Sequence, residues 1–406
     1  NPINWLGSKF DKGYQFFDGI DNQIKELLID FVGKDILYDF GFGAGSLTNN
    51  KLKKGTALPY WPSYGVLFCL KEFIKHLNNY TKNITLKINS AKSHADLINL
   101  LPSDISKILY KEFEKKIGID PSFLSFGAQL SPQFHFRISI FNDFFTNYLR
   151  KFFPYLNETL ASSRHSLGMP CISLYPKNEY IGFAGEKMLE FLAKKKTSFI
   201  ISENLKILNN SKENINIYCN GNYIKSKKIF IVTDLDDISN FFEKKIFFES
   251  AINYIPQLFY YFSTKNSKSN LQYVMGNTEN NLINRANNLS LYGQKTENGE
   301  FVISAEVMRP IDDIIWKDPE KYLVNIWNEI KLMKLVSAKQ NYNYFKILPI
   351  KKTFPTHRIN YSSNLNKLKE YVSQNYGKKI QFPGLEVYNN RVFFINKMME
   401  AVNLNE

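Results

Sequence analysis

Apolar residues recur at helical spacing over residues 22–32, NQIKELLIDFV, and the run stops at Gly33. Residues 64–80, YGVLFCLKEFIKHLNNY, repeat that spacing, and residues 94–160 continue it with a break at 127–132, so this part is predicted to be largely helical. Between these runs, residues 36–60 are short-period and glycine-rich, which predicts a β-meander. The texture changes after residue 180. Gly182-Phe-Ala-Gly185 leads into a predicted helix, EKMLEFLAKKK, followed by a strand, SFIISE. LKILNN and NINIYCN read as a hairpin, and KKIFIVTDL as an apolar strand. A helix set between apolar strands predicts a layered α/β unit. Residues 254–308 carry strand-like pieces, IPQLFYYFST, LQYVMG, NLSLYG and FVISAEVM, which predict a second, antiparallel sheet. A helix is predicted over 318–337, with Asp318 as N-cap and Pro319 in its first position. Residues 384–390 read as strand then turn, ahead of a last helix, RVFFINKMMEAV.

The stretch DFGFGAGSLT, residues 39–48, has the look of a phosphate-binding loop. Such a loop needs a strand, GxGxxG and a helix that starts inside the motif, so that backbone N–H groups and the helix N-terminus face the anion. Here the spacing Gly41-x-Gly43-x-Gly45 is one residue short. Asn49-Asn50 signals a turn, and Gly55 and Pro59 prevent a long helix. The stretch is therefore expected to form a β-hairpin, with glycine where strands pass close to a neighbour.

Bulk properties narrow the classes. The 406 residues, 44% hydrophobic, suffice for two domains with a large core. No apolar run reaches the roughly 18 residues of a membrane helix. Residues 134–155, FHFRISIFNDFFTNYLRKFFPY, come closest, but Arg137, Asp143, Arg150 and Lys151 interrupt them. The net charge of +14 invites a nucleic-acid partner, yet only 7 of the 52 basic residues are Arg and the Lys are scattered. No specific nucleic-acid partner is expected. Cys69, Cys171 and Cys219 are far apart, which fits a reducing, cytoplasmic compartment, and His76, His94, His135, His165 and His357 show no HxxxH spacing, so no metal site is expected.

Four segments together resemble flavin-dependent amine oxidases and their relatives, protoporphyrinogen oxidase and UDP-galactopyranose mutase. Phe10-Asp-Lys-Gly-Tyr-Gln-Phe-Phe17 resembles their fDxGxxxF segment, which reaches the flavin ring. Gly182 to Leu189, with SFIISENLKIL, is similar to the stretch whose last strand meets the adenine side. Lys228-Ile-Phe-Ile-Val-Thr-Asp234 resembles the strand that closes the FAD domain. Gly384-Leu-Glu-Val-Tyr-Asn-Asn-Arg-Val-Phe393 resembles the C-terminal FAD motif. Thr353-Phe-Pro-Thr-His-Arg-Ile-Asn-Tyr361 is similar to a YPVYDxGYxxNL segment of bacterial FAD oxidoreductases, with His357 for the second Tyr and Arg358 for Asp.

The resemblance implies an α/β plus α+β architecture. Its FAD/NAD(P)-binding, Rossmann-like domain spans 1–60, 165–240 and 376–406. The inserted substrate domain of antiparallel sheet and helices spans 61–164 and 241–375. It also implies that a strand–GxGxxG–helix unit of about 30–40 residues lies upstream of Asn1. Cofactor contacts are implied at Asp11, Gly13, Tyr14, Gln15, Leu205, Thr233, Asn389, Asn390 and Val392. Trp61, Arg285, His357 and Arg358 are candidate substrate contacts, each with a structural alternative: Trp61 a core residue, Arg285 an ion pair, His357 and Arg358 a solvated loop. No catalytic side chain is singled out, because a flavin carries the redox step. No Cys follows Cys219, so FAD is expected to be non-covalent. The implied activity is hydride transfer from a small molecule, an amine or a sugar nucleotide, to flavin N5. A redox-neutral sugar-nucleotide mutase and a non-catalytic binding protein are the alternatives.

Overall fold

A computed structural model describes residues 2–13, 16–39, 43–80, 90–125, 139–157, 160–162, 172–195, 197–202, 204–208, 214–242, 249–267, 269–278 and 280–385. The helix predicted at 391–402 lies outside them. At the centre is a seven-stranded sheet. Its strands are β5 (Ala44–Thr48), β6 (Lys51–Lys54), β12 (Ile252–Thr264), β13 (Tyr273–Gly276), β14 (Arg285–Asn288), β15 (Phe301–Met308) and β16 (Tyr344–His357). They stand in the order β16-β12-β15-β14-β13-β5-β6. All neighbours run antiparallel except β5 and β13. One face is apolar. Tyr260, Phe262, Ile303, Ala305 and Ala286 point from it onto helix α8 (Leu323–Leu332), where Trp327 and Ile330 complete the core. β16 holds Pro349 and Pro355, which fits its place at the sheet edge, where a missing N–H costs no ladder bond.

Helices α2 (Val66–Tyr80), α3 (His94–Ile98), α4 (Ser103–Ile117) and α5 (Asp143–Phe152) form a separate layer around Trp61, Leu97, Ile105, Leu109 and Phe113. This core also takes in Ile255 and Met308, so the helical layer rests on one end of the sheet's second face.

The remaining elements form the layered α/β part. The strands β3 (Phe17–Ile20), β7 (Ile172–Pro176) and β4 (Leu37–Asp39) make an antiparallel sheet. Helices α1 (Asn22–Val32) and α6 (Ile181–Lys194) pack beside it, with Phe31 and Phe191 edge to face at 5.1 Å. β1 (Ile3–Trp5) and β2 (Ser8–Phe10) form a hairpin, and β8 (Lys206–Leu208), β9 (Ile215–Cys219) and β10 (Asn222–Ser226) a meander. β11 (Ile229–Phe230) pairs parallel with β17 (Ile380–Gln381), flanked by helices α7 (Leu235–Ile238) and α9 (Tyr361–Tyr376) through the core of Ile231, Leu235, Leu368 and Ile380.

Most expected elements are present, and five expectations change. Residues 36–60 are not a meander: β4 pairs with β7, whereas β5 pairs with β13 and β6. Residues 198–202 of SFIISE form no strand, and Ile201 is 93% exposed. Gly182 and Gly185 lie inside α6 rather than ahead of it, because a carboxylate distant in sequence, Asp11, caps the helix at Ile181. At NLSLYG the strand lies one step earlier, over 285–288, and 289–292 form a 3-10 turn. A 3-10 turn, Pro319–Tyr322, precedes α8, and the Asp318 carboxylate pairs with Lys321 at 2.8 Å instead of capping the helix.

The hairpin reading of DFGFGAGSLT holds for its described part. Asn49 and Asn50 both take positive φ, 48° and 58°, the signature of a tight turn joining β5 to β6. A Cβ on Gly43 would stand 2.6 Å from the Asn270 carbonyl oxygen, so the close approach of the chain entering β13 requires glycine there.

Candidate functional site

The second face of the seven-stranded sheet is polar and buried. Register places Phe259 opposite Glu306 and Glu306 opposite Arg285; the next row sets Tyr261 opposite Ser304 and Ser304 opposite Asn287. Side chains two residues apart on a strand share a face, so these six side chains form one block. Arg285 grips Glu306 through Nη2 at 2.9 and 2.8 Å and through Nε at 3.1 Å. Asn287 Nδ2 donates to Glu306 at 3.2 Å and to the Ser304 hydroxyl at 3.1 Å. Both ion-pair partners are buried, so the fork geometry and the added amide bond offset the desolvation of the two charges.

The turn Asp11-Lys12-Gly13 lies on this block. The Tyr261 hydroxyl accepts the Gly13 N–H at 3.0 Å and donates to the Asp11 carbonyl at 3.0 Å. Gly13 has φ +77°, and a Cβ there would meet Glu306 Oε1 at 2.5 Å and Phe259 at 2.6 Å. Both the conformation and the space therefore require glycine. The Asp11 carboxylate accepts the Ile181 N–H at 3.0 and 3.2 Å and the Tyr175 hydroxyl. It thus caps α6, whose own N-cap residue, Tyr180, makes no side-chain capping bond. Burial raises the Tyr175 phenol well above its ordinary pKa, with the Asp11 charge adding to it, and burial does the same at Tyr261. Both hydroxyls therefore stay protonated and act as donors near neutral pH.

Gln257 sits between the two clusters that share this face. Met308 opposite it belongs to the helical core, and Phe259, two residues on, to the aromatic cluster under the Asp11 turn. Gln257 is fully buried, and among the described residues its Oε1 and Nε2 meet no hydrogen-bond partner. A buried primary amide without partners is costly. A bulge between Ile255 and Gln257 interrupts the pairing with β16 just here.

Asp11, Gly13 and Arg285 are thus brought together, with Arg285 binding a carboxylate of the protein itself. Leu205 is half-buried on the core of the β8–β9 hairpin, and Thr233 lies in the turn after β11. Beside Thr233, Asp234 accepts the Tyr254 hydroxyl, and Asp236 accepts the Ala251 N–H at 2.9 Å, tying that turn to the start of β12. His357 pairs across Ile252 at the same strand start, stacks on Tyr361 at 3.5 Å and is pushed down to a pKa of about 3 by burial. Arg358 follows it and lines an open surface depression with Phe123, Glu249 and Asn360. From residue 252 to residue 259 an extended strand covers roughly 20 Å, so Thr233, His357 and Arg358 stand well apart from the Gly13 turn. Trp61 is wholly buried in the helical core, stacked with Tyr64 at 5.8 Å. Tyr14, Gln15, Asn389, Asn390 and Val392 lie outside the described residues.

Sequence reasoning passed over Tyr261, Glu306, Asn287, Tyr175 and Gln257. Their signal is the alternation of polar positions inside apolar strands, Arg285-x-Asn287 and Ser304-x-Glu306, which gives a buried sheet one polar face.

Neither family models nor curated proteins match this sequence. Solved structures do match. A reduced UDP-galactopyranose mutase superposes with a TM-score of 0.67 at 11% identity, covering 99% of this chain and 86% of its own. Putrescine oxidase bound to putrescine gives 0.61 at 9% identity, with 100% and 90% covered. Cyclohexylamine oxidase from Brevibacterium oxydans IH-35A gives 0.55 at 9% identity, with 96% and 88% covered. The chain has the fold shared by these mutase and amine-oxidase structures. The likeness read from four short segments is borne out at the level of fold. Within this amine oxidase-like fold, the fDxGxxxF resemblance falls on the turn that Tyr261 and Glu306 hold in place.

Proposed function

We propose that this protein is an FAD-dependent oxidoreductase acting on a small molecule bound against the polar face of the seven-stranded sheet. The observation that carries the reading is the Asp11–Gly13 turn, fixed by Tyr261 over the Arg285–Glu306 pair in a chain of amine oxidase-like fold. FAD, when bound, supplies the hydride-accepting ring. One feature present fits its ring end: the Gln257 amide is buried and unpartnered among the described residues. Gln257 and the face between Met308 and Phe259 would orient the substrate, and the packed helical layer would exclude water.

The phosphate end is built differently. Asp11 already fills the anion position at the N-terminus of α6, and Gly43 and Gly45 are committed to the sheet. Leu189, Ile200, Ile201 and Val232 are exposed apolar side chains of this α/β part. FAD held there and at Leu205 and Thr233 is non-covalent in this reading.

The test is a visible spectrum of the protein after incubation with FAD and gel filtration. Retained flavin absorbance that bleaches anaerobically with an amine or alcohol supports the oxidoreductase. Absence of flavin bands sinks the proposal. Interconversion of UDP-galactose ring forms by dithionite-reduced protein, without net electron flow, would replace it with the mutase.

A further inference from the structure

Two helices of the helical layer are turned inside out. In α5 the buried residue is Thr146, whereas Phe144, Phe145, Tyr148 and Phe152 are exposed, Phe144 by 84%. In α2 the buried side chains are Cys69, Glu72 and His76, whereas Val66, Leu67, Leu70 and Ile74 are exposed, Leu67 by 83%. A surface helix ordinarily lays its apolar stripe on the core and its charges in water. The inward acid is explained by the structure, since Glu72 accepts the Asp104 N–H at 3.1 Å and the Ile105 N–H at 3.4 Å, capping α4. Among the described residues no comparable contact explains the outward stripes.

The stripes are joined. Phe73 meets Phe141 edge to face at 4.9 Å, and Phe141 meets Phe145 the same way at 5.0 Å. The result is one aliphatic and aromatic surface across both helices, larger than the scattered apolar residues of an ordinary exterior. It contains the end of the run over 134–155 that comes closest to a membrane span in the sequence. Its surroundings are basic. Lys71, Lys107, Lys111 and Lys151 are exposed on α2, α4 and α5; of the acids on these helices, Asp104 is paired with Lys71 and Lys75, while Asp143 and Glu114 are exposed. The chain as a whole carries +14.

We propose that the α2–α5 face binds the surface of an anionic lipid bilayer, with its aromatic and aliphatic side chains at the headgroup–acyl boundary and its lysines on lipid phosphates. Charge decides the occupant. In a symmetric dimer this face would meet itself, lysine against lysine, in a molecule already strongly positive. An anionic leaflet takes both the apolar stripe and the positive rim. No helix of the described residues is long and apolar enough to cross a membrane, so the contact is a peripheral one.

The experiment is co-sedimentation of the full chain with large unilamellar vesicles, either phosphatidylglycerol with phosphatidylcholine or phosphatidylcholine alone. Binding to the anionic vesicles is expected to exceed binding to the neutral ones by about tenfold or more. The variant Phe144→Ser/Tyr148→Ser/Phe152→Ser should lower anionic binding by about tenfold or more while circular dichroism and melting temperature stay those of the parent. Lys151→Glu should reduce anionic binding and leave the residual neutral binding unchanged. Equal pelleting with and without vesicles overturns the proposal. So does a concentration-dependent dimer in light scattering that the triple variant abolishes while vesicles are ignored.

Discussion

The seven-stranded sheet and the β11–β17 pair stand side by side in one fold, yet they are finished to different degrees. In the sheet, β12 runs 13 residues and β16 runs 14, the apolar face is sealed by α8, and even the buried charges of the polar face have partners across the strands. β11 and β17 share two paired residues each, and Val232, the second residue after β11, faces solvent. Parallel strands are ordinarily covered on both faces. The difference teaches that the polar face of the sheet is preformed by long-range strand pairing, whereas the two-residue β11–β17 pair takes its support from the helices and side chains around it.

The contrast is broken most forcefully at the ion pair. Glu306→Leu leaves the Arg285 guanidinium buried without its carboxylate and should cost about 3–5 kcal/mol in denaturant unfolding. Arg285→Met/Glu306→Leu removes both charges and should recover most of that loss. Equal losses in the single and double variants would mean that the polar face is not held by this pair.

Much of the sheet was legible because its strands alternate or run apolar over many residues: FVISAEVM coincides with β15, and IPQLFYYFST lies within β12. The hairpin at Asn49-Asn50 was legible from turn chemistry. The same chemistry at Asn220-Gly221, φ 50° and 83°, marks the β9–β10 hairpin, which the apolar pattern alone does not show because β10 is NYIKS. β16 escaped notice since Pro349, Pro355, Lys346, Lys351 and Lys352 blur its alternation, and only its edge position makes those residues tolerable. At the site, Asp11 and Gly13 were legible by resemblance. Their partners were not, because Tyr261, Tyr175 and Glu306 lie more than 160 residues away in sequence. No local pattern encodes which tyrosine reaches a given turn.

Where β12 begins, the two regions meet at His357, and pH reads that seam. Its folded pKa of about 3 lies below the ordinary 6.5. Between those values the unfolded chain binds a proton that the folded chain refuses, so stability rises with pH across the window. It is fully present above about 6.5 and is lost as pH falls toward 3. At pH 5 the loss from this one histidine is about 2 kcal/mol. His357→Phe, which keeps a ring against Tyr361, should flatten the pH profile of unfolding by that amount. An unchanged slope would move the acid sensitivity to His76 and His94, which burial also pushes down, to about 4 and about 3. A smaller effect is expected from Tyr261→Phe. It removes the hydroxyl that serves Gly13 and Asp11 and should cost about 1–2 kcal/mol, with full unfolding cooperativity retained.

The smallest effect is the most telling for the comparison. Ile201 is almost wholly exposed in residues 1–406, so Ile201→Ser removes almost no buried area and should change stability by less than about 0.5 kcal/mol. Ile303→Ala, inside the sheet, should cost about 2–5 kcal/mol by the cavity it leaves. That contrast alone restates exposure. It becomes a test when Ile201→Ser is repeated in the protein loaded with FAD. If bound FAD covers this edge, the isoleucine is buried and its loss should rise to about 1–2 kcal/mol, with weaker flavin retention alongside. If the cost stays near zero and flavin is held as tightly as before, the edge is an ordinary surface, and the asymmetry between the two regions has no bearing on how the cofactor is bound.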